Sequence, residues 1–381
     1  AVAPAARAQA VSGVVYQDAN GNGRRDAGEP GLPGVAVSNQ HAVAATSTDG
    51  TFRLDGRGTG IVFVSVPDRY RAVGPFWRRL PPDPAPLSFP LFPSGAVADF
   101  RFIHASDPHV QPSSVARLRR VGALADSLGA ALVLLSGDLV RDALRVTEAE
   151  ARGYYELYTR TIDTFPVPVR SVPGNHELFG IERHQSLVSR EHPLYGREMY
   201  RHYLGPDYYS FDYGGVHFVA LNTVDHDDLW YYGHVDSAQV AWLERDLALV
   251  APGRPIVSFN HIPFFSASEG MRGYTEEPPA PTVIRVHGKP QLRHTVSNWS
   301  EVLEVLRRRS YPLALGGHIH LREVLGYGFA GSRTRFEQAA AVVGGSKNGP
   351  LEVLSGITLY RVSRGRISEG DFIPLDPAPR P

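Results

Sequence analysis

The chain has 381 residues, enough for one large and one smaller folded unit, with 43% hydrophobic and 20% charged residues, as in ordinary globular proteins. Acidic and basic residues balance at 39 each, so no global field draws the chain onto nucleic acid or an anionic membrane. Cysteine is absent, which excludes disulfides, thiol catalysis and thiolate-held zinc and leaves His, Asp, Glu and Asn as metal ligands.

The chain opens with Ala1 to Ala10, and Ala8-Gln9-Ala10 has the small-residue pattern of a signal-peptidase site. Residues 1–10 are therefore expected to be a secretory-signal remnant, with a flexible Ala-rich tail as the alternative, and the chain is expected to be secreted, periplasmic or at the cell surface. No apolar run approaches the roughly 20 residues of a membrane span.

Residues 11–96 contain short β runs (Val11–Tyr16, Val35–Val37, Thr51–Leu54, Ile61–Val66) between Gly, Pro, Asn and Asp clusters, without helical periodicity. This predicts a small all-β sandwich. Residues 18–29, Asp-Ala-Asn-Gly-Asn-Gly-Arg-Arg-Asp-Ala-Gly-Glu, match the calcium-loop pattern D-x-[DN]-x-[DN]-G-x₅-E. Asp18, Asn20 and Asn22 would give side-chain oxygens, Arg24 its carbonyl, Asp26 a direct or water-mediated contact and Glu29 a bidentate carboxylate. A structural calcium of modest affinity is expected, the alternative being an Asn/Asp/Gly-rich hairpin without metal. Together with Gly31 to Val37, the segment resembles the B-type β-sandwich repeats of bacterial surface adhesins. The stretch Pro81-Pro82-Asp83-Pro84-Ala85-Pro86 is expected to be an extended linker or docking strap.

From Val97 to the C-terminus the pattern changes. Phe100–Ala105 reads as a strand, Val115–Leu128 as an amphipathic helix capped by Ser113 or Ser114, and Ala131–Leu135 as a buried strand. Thr147 and Glu150 form a capping box for a helix through Tyr158, and a strand follows at Val167–Val172. Tyr208–Tyr213 and Val216–Asn222 form a hairpin across Gly214-Gly215. A helix at Ser237–Leu249, a strand at Ile256–Asn260, a helix at Ser300–Arg309 and strands at Leu313–Leu315 and Ile357–Val362 complete a layered α/β domain. Residues 266–297, rich in Pro and Gly, read as an irregular insertion, either a lid or substrate-binding loop or a surface excursion.

Five polar blocks each follow an apolar β run: Asp107-Pro108-His109, Gly137-Asp138, Gly174-Asn175-His176-Glu177, His261 and Gly317-His318-Ile319-His320. Sites in open α/β sheets form after the strands' carboxyl ends, so five distant segments can converge there. Imidazoles, carboxylates and one amide suit borderline divalent metals. Singly, these blocks are commonplace turns or hydrogen-bonded histidines; their joint occurrence in this order carries the reading.

The arrangement resembles the calcineurin-like metallophosphoesterases, whose signature is Asp-x-His, Gly-Asp, Gly-Asn-His-Asp/Glu, a later His and Gly-His-x-His. The resemblance implies a four-layer α/β/β/α sandwich beside the small β-sandwich. It also implies two divalent transition metals (Mn, Fe or Zn), one on Asp107, His109 and His320 and one on Asn175, His261 and His318, with Asp138 bridging. It implies an enzyme, here expected to be secreted on the strength of residues 1–10, that hydrolyses phosphate esters by attack of a metal-bridging hydroxide, phosphodiesters being favoured over monoesters or nucleotides. His176 would stand on the leaving-group side as a proton donor or charge stabiliser, oriented by Glu177 or another carboxylate unless Glu177 is solvated. The bridging Asp138 also counts among the catalytic residues.

Purple acid phosphatases have a Tyr three residues after the bridging Asp; Arg141 stands here, so no tyrosinate-to-iron colour is expected. Arg141 is a candidate phosphate contact or a surface Arg, and Trp230, Tyr231 and Tyr232 are candidates for stacking on a base or sugar or for packing. His184, His192, His202 and His217 have no motif support and are expected at the surface or in packing roles, with His104 inside the first strand. The B-type module resembles N-terminal domains of some exported calcineurin-like enzymes. It prompts one non-enzyme alternative, a surface binding protein with a silent catalytic domain.

Overall fold

A computed structural model describes residues 10–83, 85–329, 332–348 and 351–376. Residues 1–9 of the expected signal remnant at 1–10 lie outside the described residues, as does Pro84 of the proline-rich stretch.

The N-terminal region forms two four-stranded sheets. One has the order Thr51–Leu54, Val11–Gln17, Leu87–Pro93, Tyr70–Ala72. The other runs Val43–Ala45, Ala36–Ser38, Ile61–Val64, Trp77–Arg79. Strand Thr51–Leu54 alternates exposed Thr51 and Arg53 with buried Phe52 and Leu54, the period expected of a half-buried strand. Ile61–Val64 is instead buried at all four positions, because the second sheet is covered on both faces. On its outer side Phe63 meets Tyr209 and Trp242 edge-on at centroid distances of 6.4 and 6.3 Å. Hydrogen bonds fasten the same face: the Gln40 amide donates to Asp207 Oδ1 (3.0 Å) and to the Tyr208 carbonyl (2.9 Å), and Tyr208 OH donates to the Gln40 carbonyl (2.9 Å).

The remainder is four layers. One six-stranded sheet has the path Val169–Val172, Leu132–Ser136, Asp99–Ala105, Gly356–Ser363, Arg366–Ile367, with Asp371–Pro374 also paired to Gly356–Ser363. The other runs Tyr209–Tyr213, Val216–Ala220, Ile256–Phe259, Leu313–Gly316, Ser332–Gln338, Glu323–Phe329. Leu132–Ser136 is buried throughout, yet its two faces serve different cores. Leu132 and Leu134 point between the sheets, while Val133 and Leu135 pack under helices Val115–Ser127 and Glu148–Ile162. Between the sheets Phe102 lies 5.6 Å from Phe218 and stacks on Tyr360 at 4.9 Å. Helices Ser237–Ala248 and Trp299–Leu306 cover the second sheet through Trp242, Leu243, Val302, Leu303 and Leu306. Thr147 caps Glu148–Ile162 by accepting from the Glu150 N–H. Ser114 is the N-cap of Val115–Ser127, although its hydroxyl donates to the His109 carbonyl (3.0 Å) instead of capping.

Residues 266–297 are more regular than expected from their Pro and Gly content. Ser266 caps a short helix, Ala267–Arg272, and Val283–Val286 pairs with Lys289–Leu292 across a two-residue turn at His287-Gly288. Both turn residues have positive φ (47° and 77°), the geometry that matches strand twist in a tight hairpin. The segment is also tied down: buried Arg293 donates to the carbonyls of Pro281 (2.9 Å) and Tyr231 (3.3 Å), and the Val296 N–H donates to the Pro263 carbonyl (2.9 Å). Its guanidinium covers Trp230 and Tyr231, which gives that aromatic run a packing role.

Of the histidines without motif support, His184 and His202 are exposed and His192 pairs with Glu148 (3.3 Å). His104 lies in strand Asp99–Ala105, its Nε2 2.8 Å from Ser136 Oγ. His217 is buried between two carboxylates, with Nδ1 2.7 Å from Asp212 Oδ1 and Nε2 3.0 Å from Asp246 Oδ2. Burial alone would lower its pKa, but hydrogen bonds to both aspartates push it up to about 9.

Candidate metal centre

The five polar blocks follow strands Asp99–Ala105, Leu132–Ser136, Val169–Val172, Ile256–Phe259 and Leu313–Gly316, whose carboxyl ends open on one crevice. Two glycines there are required by close approach. A Cβ on Gly137 would meet the His261 ring at 2.6 Å, and one on Gly174 would meet Asp138 Oδ1 at 2.3 Å. Five of the seven expected ligands sit in the left-handed region: Asp107 (φ 54°), His109 (40°), Asp138 (49°), His318 (72°) and His320 (59°). Such conformations cost of order 1 kcal/mol each and persist where the surroundings enforce them. The His318 N–H, for example, donates to Asp107 Oδ2 (3.1 Å), and the His109 N–H to the Asp138 carbonyl (2.9 Å).

Among the described residues, two groups bring three or more His, Asp or Glu ligand atoms within 4.8 Å of one another. The first is Asp107, His109, Asp138 and His320; the second is Asp138, His261 and His318. Asp138 belongs to both, and its two oxygens divide between them. Oδ1 lies 3.2 Å from His261 Nε2, and Oδ2 lies 3.6 Å from His109 Nε2. Asn175 joins the second group, its Oδ1 3.2 Å from His261 Nε2.

The second group contains more acceptors than protons. His261 Nδ1 lies 2.7 Å from the Ser136 carbonyl and must carry the ring proton there, because a carbonyl only accepts. In the neutral ring His261 Nε2 is then a lone pair, and Asp138 Oδ1, Asn175 Oδ1 and His318 Nδ1 each stand 3.2 Å from it. Ligand atoms of four side chains thus converge on one point, a donor set that suits a cation. In the first group His109 Nε2 and His320 Nε2 face each other at 3.3 Å, with Asp107 Oδ1 3.1 Å from the latter. The residues present therefore fit a pair of divalent ions sharing one carboxylate.

The electrostatics agree. Burial opposes ionisation of Asp138, but His261, His176 and His109 hold its carboxyl well below the usual range. Burial, with neighbouring rings, lowers His109 to about 4 and takes His318 well below its ordinary value. His261 is also fully enclosed, but the Asp138 carboxylate outweighs burial and pushes it up to about 9, a proton there doing the work of a cation.

His176 stands beside this cluster. Its N–H donates to Asp138 Oδ1 (2.9 Å), its Nδ1 lies 3.0 Å from the Arg141 carbonyl and its Nε2 3.9 Å from Asp138 Oδ2. Glu177 neither orients His176 nor meets solvent. It is buried and accepts from the N–H groups of Val140 (2.9 Å) and Gly174 (2.6 Å), bracing the Gly137-Asp138 turn against the Gly174 turn. Burial, with the Asp138 charge, pushes Glu177 up to about 8. The cavity above the cluster measures about 570 Å³ and is lined also by Gln111, Arg141, Tyr231, Glu269, Arg272 and His294. His294 had no local sequence signal, being one histidine in a long segment. It lies 2.7 Å (Nδ1) from His318 Nε2, and burial, with Arg293 and Arg272, lowers it to about 4.

The N-terminal loop is arranged differently. Asp18 Oδ1 accepts from Gly21 (2.7 Å) and Asn22 (3.1 Å) N–H groups and Oδ2 from Gly23 (2.7 Å). Asn20 and Asn22 amides both donate to Asp26 Oδ2 (2.8 Å), and the Arg24 N–H donates to Asn22 Oδ1 (2.7 Å). Glu29 accepts from Ala19 (2.8 Å) and Asp26 (3.0 Å) N–H groups. Asp18, Asp26 and Glu29 do not form one of the tight ligand groups found among the described residues.

Among curated proteins, the chain is 30% identical over 136 residues to the serine/threonine-protein phosphatase CPPED1 of Danio rerio, a stretch that is 35% of this chain and 40% of that protein. The chain thus spans well under half the length of that relative. Among solved structures, a dimetal phosphatase from Danio rerio aligns with TM-score 0.42 at 15% identity over 73% of this chain and 99% of its own. PhoD aligns with TM-score 0.47 at 12% identity over 93% and 84%. The model of the family described as calcineurin-like phosphoesterase matches residues 100–322, more than half of the sequence. With its buried Asp and His groups sharing one carboxylate, a donor set that fits a dinuclear metal site, the chain belongs to the calcineurin-like phosphoesterases.

Proposed function

We propose that this enzyme cleaves phosphodiesters, using Asp107, His109, His320 and Asp138 for one divalent transition metal and Asn175, His261, His318 and Asp138 for the other. The observation that carries the reading is the shared Asp138 beneath a cavity of about 570 Å³, which leaves room for both substituents of a diester. Two such ions, when bound, supply Lewis-acid activation of a nucleophile and neutralise charge on the phosphoryl oxygens. Mn, Fe or Zn suits these ligands.

His176 handles the leaving group. Its Nδ1 faces the Arg141 carbonyl and so keeps its proton, which leaves Nε2 as the atom that delivers a proton, from the imidazolium form. Arg141 and Arg272 line the cavity, and their charges favour a second reading, a monoesterase acting on dianionic phosphates, in line with the phosphatase name of the curated relative. Comparison of kcat/KM for bis(p-nitrophenyl) phosphate and p-nitrophenyl phosphate on the metal-loaded enzyme decides between them. A panel of nucleotides, cyclic nucleotides, glycerophosphodiesters and sugar phosphates then gives the class. Higher kcat/KM for every monoester overturns the diester proposal.

We also propose a domain boundary at about residue 96 and a location outside the cytoplasm, where calcium is abundant enough to fill a weak loop of neutral and acidic oxygens. The sequence pattern, with the Asp18 and Glu29 carboxylates held by backbone N–H groups of the same loop, supports a structural calcium at residues 18–29. The melting temperature with calcium or with a calcium chelator, for wild type and Glu29→Ala, tests it. Calcium is expected to raise the wild-type value only; no response in the wild type overturns the assignment.

A further inference from the structure

His318 has two ring nitrogens and both are engaged. Nδ1 faces the acceptor group, 3.2 Å from His261 Nε2, and Nε2 lies 2.7 Å from His294 Nδ1. A neutral imidazole that ligates through one nitrogen carries its proton on the other, and the partner of that proton fixes tautomer and ring angle. Among the described residues, the atom at hydrogen-bond distance from His318 Nε2 is His294 Nδ1. The two rings lie nearly parallel, with centroids 5.0 Å apart and an interplanar angle of 24°. Tyr231 closes the side of His318 edge-on at 5.8 Å.

His294 is held firmly enough for the task. It follows strand Lys289–Leu292 and sits between Arg293, bonded to Pro281 and Tyr231, and Val296, bonded to Pro263 and bridged to Gly233. Its position is therefore set by the Val224–Gly233 hairpin and by the loop that follows the ligand His261.

We propose that His294 is a positioning residue for the metal site: by accepting the His318 Nε2 proton it directs Nδ1 at the second cation, and so sets the affinity of that cation. The proposal rests on the assignment of His318 as a ligand. It makes the 266–297 insertion part of the metal site's support.

The test is Mn²⁺ binding to the metal-stripped full chain, by competition with a chelator, for wild type, His294→Phe, His294→Asn and His318→Gly. Phenylalanine keeps the stacked ring and removes the acceptor; asparagine puts an amide oxygen near the position of Nδ1 and removes the ring. His294→Phe is expected to weaken one of the two Mn²⁺ ions by about 10- to 100-fold and leave the other unchanged. His294→Asn is expected to regain most of that loss, and kcat at saturating Mn²⁺ to recover in parallel. A merely structural ring would show the opposite order, with Phe binding like wild type and Asn weakened, and that order overturns the proposal, as does wild-type binding by both variants. His318→Gly separates the two claims. If it retains both ions, the ligand assignment fails; if it binds one ion while both His294 variants bind as wild type, only the role of His294 fails.

Discussion

Replacement of His217 by leucine should destabilise the protein in a pH-dependent way, far from the metal centre. His217 joins strand Val216–Ala220 to Asp212 and to Asp246 of helix Ser237–Ala248, and Asp246 Oδ1 also accepts from Ser210 Oγ (2.7 Å). A rise from the ordinary 6.5 to about 9 is worth about 3 kcal/mol of stability. The native state binds the proton more tightly than the unfolded chain, so this contribution is complete below pH 6.5 and is lost as pH rises to about 9. Leucine leaves the buried Asp246 carboxylate without its imidazolium, which should cost about 3–5 kcal/mol at pH 6. At pH 9.5 the penalty should shrink by about 3 kcal/mol, because the wild type has then lost its own advantage. Urea unfolding followed by tryptophan fluorescence at fixed free Mn²⁺ measures the gap at both pH values. At about 2.1 cal/mol/K per residue, 3 kcal/mol corresponds to about 4 °C in melting temperature. An equal gap at pH 6 and 9.5 would refute the claim that His217 is folded as a doubly paired cation.

Three further outcomes are expected. Asp138→Asn keeps a residue that tolerates the left-handed backbone but removes the bridging charge; bound metal should fall below two ions per chain by elemental analysis, with turnover lost. His176→Ala should keep both ions and lose about 10²–10⁴ in kcat, with a smaller loss for p-nitrophenyl esters than for alkyl esters that need the proton. Equal losses for both leaving groups would remove its acid role. Glu177→Ala should strip the Val140 and Gly174 N–H groups of their acceptor, at about 1–3 kcal/mol each, and lower metal affinity without touching a ligand; unchanged melting and metal binding would contradict the bracing role.

Much of this could be read from the chain, for identifiable reasons. The blocks at Asp107, Asp138, Asn175, His261 and His318 each stand two or three residues beyond an apolar strand, so local pattern alone places them at strand ends. The hairpin across Gly214-Gly215 and the Thr147 cap are likewise local, set by a few adjacent residues. Glu177 was misjudged because a buried carboxylate that accepts two N–H groups has the same sequence as a solvated one. His294 escaped notice because its partner is 24 residues away and its support comes from Arg293 and Gly233, contacts that no periodicity reports. The turn at His287-Gly288 was readable in principle, but the surrounding prolines obscured it.

The unbroken aromatic packing from Phe63 through Tyr209 and Trp242 has a practical bearing on dissection of the protein. Expressing residues 97–376 alone would uncover that patch and remove one of the donors to buried Asp207, the Gln40 amide, leaving it to Arg201 and Asn222. Such a fragment should be sticky and poorly soluble even with every metal ligand intact. Grafting a foreign N-terminal module would succeed only if it brought an apolar face of matching shape and a donor for Asp207.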